Sequence, residues 1–101
     1  MNINTTTSGT VATLHMGGRF DFNAHRSFKE AYDSVLKQKG ISSIEINLAG
    51  VDYLDSSALG MLLLLRERAE SEGKAVLLVR PNATVLQILD IANFKKLFTI
   101  R

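Results

Sequence analysis

Residues 51–68 read VDYLDSSALGMLLLLRER, and the reading of the whole chain turns on them. The stretch has the form of a strand end, a short acidic turn, two serines and the first turns of a helix. Asp55, Ser56 and Ser57 are all good N-cap types, but no Glu or Gln follows three residues on to complete a capping box. A helix N-terminus carries about half a positive charge and has unpaired N–H groups, so it accepts an anion readily. Two readings follow: all three residues simply cap the helix, or one serine there carries a phosphate.

The phase of the helix separates these readings. At about 100° per residue, Ala58, Leu62, Leu65 and Ala69 fall on one face, with Leu59 and Met61 on its flanks. That is a core stripe. Leu63 and Leu64 do not belong to it. They project to the opposite side with Gly60 and Glu67, and Ser56 points the same way. The side that should be polar thus holds two leucines, a glycine that bares the backbone, and a serine at its edge. Either another part of the chain covers Leu63 and Leu64, or they form a docking surface controlled from Ser56.

Asp55-Ser56-Ser57-Ala58-Leu59-Gly60 resembles the D-S-[ST]-[GA]-[LI]-G signature of the STAS domain, and more narrowly that of bacterial anti-sigma factor antagonists (anti-anti-sigma factors). Gly18-Arg19-Phe20-Asp21 resembles the G-x-[LF]-D element of the same domains. The resemblance implies one STAS domain over residues 1–101, with Ser56 as the phosphorylated residue. Together with the outward face of the helix, it places Asp21, Asp55, Ser56, Ser57, Gly60, Leu63, Leu64 and Glu67 at the partner-binding surface. It also implies the partners: an anti-sigma factor that is a GHKL-type serine kinase, and a PP2C-type serine phosphatase. ATP and magnesium would belong to the kinase, and the chain itself would hold no cofactor or metal.

Composition is compatible with this and narrows the alternatives. A chain of 101 residues has length for one domain with one modest core. Cysteine is absent, which removes disulfides, thiolate metal sites and cysteine nucleophiles and fits a cytoplasmic location. The N-terminus, MNINTTTSGT, lacks the apolar region of a signal peptide. The longest apolar run, near residues 59–65, is far short of the ~20 residues that span a bilayer. Net charge is +2 with no basic cluster, so nucleic acid is not an expected partner.

Taken in order, residues 3–7 alternate weakly as an edge strand, Ser8-Gly9 turns the chain, and residues 10–16 form a second, antiparallel strand. Gly17-Gly18 then breaks the pattern. Residues 24–38 read as a helix with Phe28, Ala31, Tyr32, Val35 and Leu36 inward, Asn23 as its expected cap and Gly40 as its stop. Residues 43–48, SIEINL, alternate as a strand whose Glu45 and Asn47 mark a less protected face. Gly73 ends the central helix. AVLLV, residues 75–79, is a continuous apolar run that predicts a strand buried on both faces. Asn82 is placed to cap a short helix with Val85, Leu86, Leu89 and Ala92 inward, and residues 97–100 read as a last strand. His15 and His25 have no convincing ligand partners. Many family members continue into a further C-terminal helix. This chain stops at Arg101, so whatever that helix covers elsewhere is expected to be open here.

The order β-β-α-β-α-β-α-β predicts an α/β domain with a mostly parallel central sheet and an N-terminal antiparallel edge strand. Sites in such sheets lie at the C-terminal ends of the strands, which is where Ser56 falls. No G-x-S-x-G elbow pairs a serine with a base, so a binding module is expected rather than an enzyme. Two other readings compete. One is a non-switching STAS accessory subunit of a transporter or signalling assembly, with Ser56 a plain cap. The other is a receiver-like domain with Asp55 as phosphoryl acceptor. The latter needs an acidic pair after its first strand, where this chain has Thr-Ser-Gly.

Overall fold

Alternating apolar residues become strands, and residues at helical spacing become helices. The computed structural model describes residues 1–101. β1 (Asn2–Ser8) and β2 (Val11–Phe20) form a hairpin. α1 (His25–Leu36), β3 (Ser43–Leu54), α2 (Ser56–Ser71), β4 (Ala75–Val79), α3 (Ala83–Ile91) and β5 (Thr99–Ile100) follow, with 3-10 turns at Phe22–Ala24 and Phe94–Lys96. The strands make one five-stranded sheet in the order β1-β2-β3-β4-β5. β1 pairs antiparallel with β2, and the other pairings are parallel. This is the α/β architecture that the sequence implies.

The sequential strand order decides the layers. Right-handed crossovers that always step the same way along a sheet place every helix on one face. Burial agrees. Leu14 and Met16 of β2, Ile44 and Ile46 of β3, and Leu78 of β4 are buried. They share one cluster with Phe28 and Val35 of α1, Leu62 and Leu65 of α2, and Val85 and Leu89 of α3. The alternate residues Thr13, His15, Glu45 and Asn47 are half-buried or exposed on the opposite face. That face holds a polar depression of about 580 Å³ lined by these four with Val79, Arg80 and Arg101, and the turn at Ser56 takes no part in it. No helix is long and apolar enough to cross a membrane.

The open face corrects one expectation. β4 is not buried on both sides: on the face away from the helices Ala75 is exposed and Leu77 half-buried, because no helical layer covers that face. The last strand is also shorter than residues 97–100. Phe94–Lys96 turns as a 3-10 helix with Leu97 as its C-cap, and only Thr99–Ile100 pairs with β4.

A second correction concerns Gly17-Gly18, which does not end β2. The strand runs on to Phe20, and β3 likewise runs past Leu48 to Leu54. Register shifts at His15/Gly17 and Gly18/Arg19 take up the extra residues of β3. At the first of these, Asn47 Oδ1 accepts the Ala49 N–H at 2.9 Å. Gly50 lies against Gly17 there, where a Cβ on Gly50 would stand 2.9 Å from the Met16 carbonyl oxygen. Glycines that look like strand breakers are what let two bulged strands stay paired. The cap before α1 is also reassigned. Asp21, not Asn23, does the capping: its Oδ1 accepts the Asn23 N–H at 3.0 Å and opens the 3-10 turn that leads into α1.

α1 and α2 are fastened along their outer edges. Lys29 Nζ donates to Asp33 Oδ2 at 2.6 Å, and Arg68 Nη1 of α2 stands 3.1 Å from Asp33 Oδ1. The hydrogen bond from Lys29, helped by the charges of Lys29 and Arg68, outweighs desolvation and holds the Asp33 carboxyl below its ordinary range. The close approach at Gly50 makes a direct test of the bulged pairing. Gly50→Ala is expected to cost about 1–3 kcal/mol through overpacking, read as a lower urea midpoint. An unchanged midpoint would show that the strands have room to spare.

Candidate functional site

The site is built where β3 ends. Asp55 follows Leu54 with extended backbone and caps α2: its Oδ1 accepts the Ala58 N–H at 2.9 Å, and its carbonyl accepts the Leu59 N–H at 3.2 Å. Of the three possible caps, Asp55 is the one that acts. The N–H groups of Ser56 and Ser57 are left without a protein acceptor. Ser56 is exposed and Ser57 half-buried. Neither serine hydroxyl bonds to the backbone at this turn, where the capping bond is that of Asp55.

Helical phase places the remaining residues. Ala58, Met61, Leu62, Leu65 and Ala69 are buried. Leu63 and Leu64 are 36% and 49% exposed, and Ser56, Gly60 and Glu67 are exposed beside them. A Cβ built on Gly60 would meet nothing within 4 Å. Glycine inside a helix costs roughly 0.5–1 kcal/mol relative to alanine, and no packing inside the domain requires it here.

The loop after β2 comes to the same end of the sheet. The Asp55 N–H donates to the Phe20 carbonyl at 3.3 Å, so Asp21 sits one residue beyond that contact. Asp21 is fully engaged: besides capping, its Oδ2 accepts from Arg19 Nε at 3.2 Å. Arg19 in turn lies over the Tyr53 ring, 4.5 Å from its centroid. Asp21 therefore shapes this loop and does not present a free carboxylate. What it presents is Phe22, 71% exposed on a 3-10 turn that packs against α2. Sequence reasoning missed Phe22. The signal was a second phenylalanine one residue past Phe20-Asp21, where the chain leaves the sheet and an inward position is lost. No three His, Asp or Glu side chains gather into a ligand set.

A mixed sheet open on one face, with a serine turn at the end of its central strand, fits a STAS domain. The model of that family matches residues 2–101, and the chain belongs to it. It is similar to a STAS-domain containing protein of Pseudomonas aeruginosa (strain UCBPP-PA14), 44% identical over 92 residues, which cover 91% of this chain and 89% of that one. It is also similar to a candidate anti-sigma factor antagonist of Thermotoga maritima, 32% identical over 78 residues, 77% of this chain and 68% of that one. In fold it matches the anti-sigma factor antagonist SpoIIAA in its unphosphorylated form, with a TM-score of 0.75 over 99% of this chain and 87% of that one, at 15% identity.

The helical phase gives a four-variant test. Leu62→Ala and Leu65→Ala, both at fully buried positions, are expected to lose roughly 2–5 kcal/mol each. Leu63→Ala and Leu64→Ala should stay within about 0.5 kcal/mol of the parent. Denaturant melts decide it, and comparable losses at all four positions would put Leu63 and Leu64 in the core.

Proposed function

We propose that this chain is an anti-sigma factor antagonist whose docking to an anti-sigma factor is switched off by phosphorylation of Ser56. The observation that carries this reading is the outward face of α2. A capped helix N-terminus presents a free serine, and above it lie a bare glycine backbone and two partly exposed leucines. Unmodified, this face binds the anti-sigma factor through Gly60, Leu63, Leu64 and Glu67, with Phe22 as a further apolar anchor held out by Asp21. The sigma factor is thereby released.

Phosphorylation adds about −1.5 to −2 charges and a bulky group at the edge of that face. In the free domain the group is tolerated. The unpaired N–H groups of Ser56 and Ser57 can bind it, and the helix dipole favours an anion by roughly 0.3–1 kcal/mol. Against a partner the same group must be desolvated or displaced, at a cost of several kcal/mol if unpaired. The phosphate comes from a GHKL-type kinase that brings its own ATP and magnesium, and a PP2C-type phosphatase removes it. The chain supplies the acceptor hydroxyl and the surface, and needs no cofactor. A non-switching accessory subunit would instead leave Ser56 unmodified and be indifferent to Ser56→Asp.

Two measurements test the reading together. After reaction with the cognate kinase, mass spectrometry should place the phosphate on Ser56; label on Ser57 alone would overturn the assignment. Gly60→Ala should raise stability by about 0.5–1 kcal/mol, since its methyl meets open space, yet weaken anti-sigma factor binding about tenfold or more. Gain in both stability and affinity would show that the partner does not approach the helix at Gly60.

A further inference from the structure

The two edges of the sheet are built differently. β5, at one edge, is two residues long, and beside it Arg66 Nε donates to the Leu97 carbonyl at 2.7 Å. β1, at the other edge, pairs with β2 in unbroken register from Asn2↔Gly17 to Ser8↔Val11. Its sequence NINTTTS has no charge and no proline, and every residue but the half-buried Ile3 is exposed. Edge strands ordinarily carry a charge, a proline or a bulge that discourages pairing with another chain. β1 has none of these.

The hairpin turn fixes which backbone groups of β1 are free. Gly9, with φ of +59°, and Thr10 form a two-residue turn, which the Ser8 carbonyl closes by accepting the Val11 N–H. Ser8 and Val11 are thus a hydrogen-bonded pair. Alternation along an antiparallel ladder then aims the backbone groups of Thr6 and Asn4 at β2. It aims those of Ile3, Thr5 and Thr7 away from the sheet. Those three residues sit symmetrically about Thr5. A second copy running antiparallel, related by a two-fold axis through Thr5, sets Thr5 opposite its counterpart and Ile3 opposite Thr7, so every outward N–H and C=O between them finds a partner. Such isologous contacts are the commonest way that identical chains pair. No like charges meet, because the strand has none. The side chains that face each other are uncharged: Thr5 with Thr5 and Ile3 with Thr7 on one face, Asn4 with Thr6 on the other.

We propose that β1 is a self-association edge, and that two copies join their five-stranded sheets through antiparallel β1–β1 pairing. This stands apart from the phosphorylation reading. α2 begins after β3, two strands in from this edge, so both copies keep Ser56 open. A single strand pair buries well under the ~1,200–2,000 Å² of stable complexes. The dimer is therefore weak and in fast exchange, forming at roughly millimolar protein, the weak end of the affinity scale.

Sedimentation equilibrium of the full chain over a concentration series through that range is the test. The weight-average mass should climb from the monomer value toward twice that value. Thr5→Pro should abolish the climb and leave the thermal melt nearly unchanged, since the Thr5 N–H points away from β2. Thr6→Pro should lower the melt instead. Thr5→Lys, which sets a charge opposite itself at the two-fold axis, serves if the proline variant fails to fold. In amide exchange, Ile3, Thr5 and Thr7 should gain protection with concentration while Asn4 and Thr6 are protected throughout. A mass that stays monomeric across the series, or a dimer that survives both Thr5 variants, overturns the proposal.

Discussion

The hydrogen bond from the Asp55 N–H to the Phe20 carbonyl closes the long pairing of β2 with β3, and the rest of the site depends on it. β4 accompanies β3 only from Ser43 to Asn47, so beyond that point β2 and β3 run on as a two-stranded extension. Its last rung, Phe20 with Leu54, is buried on both strands. The residue after each member of that rung is an aspartate that caps the next element. Asp21 starts the turn that holds out Phe22, and Asp55 starts the helix that holds out Ser56. One rung thus fixes two loops from distant parts of the sequence at the same end of the sheet.

Much of this was legible in the sequence. The α2 stretch carries a strand end, a cap and a 3.6-residue period in succession, and each follows from local chemistry. Its inward and outward leucines fall as the phase requires, because a helix has one period and the core takes one side of it. The alternation of Ile44, Ile46 and Leu48 with Glu45 and Asn47 also reported the open face correctly.

What the sequence hid was non-local. Gly17-Gly18 reads as a break because glycine usually punctuates a strand. Whether it does so depends on Gly50 arriving opposite it, more than thirty residues later in the chain. The AVLLV run reads as doubly buried because apolar runs usually are. Here the sequential strand order puts all the helices on one face, and topology rather than hydropathy set its exposure. Asn23 is a good cap type, but the chain turned two residues earlier and Asp21 took the role. Phe22 was passed over for the same reason: its exposure follows from where the turn begins.

In the proposed switch, control by Ser56 would rest on an asymmetry between the free and bound states. In the free domain Asp55 satisfies Ala58 and Leu59, and the N–H groups of Ser56 and Ser57 remain for an anion, so the helix has no reason to melt when phosphate is added. The penalty falls where the outward face of α2 is covered. A loss of 3 kcal/mol there lowers affinity about a hundredfold. The most direct measurement is calorimetric titration of the anti-sigma factor with unmodified and Ser56-phosphorylated chain, beside hydrogen exchange of both free forms. The account predicts at least a hundredfold weaker binding with exchange across residues 58–68 unchanged. Equal affinities, or a phosphorylated domain that loses protection across those residues, would contradict it.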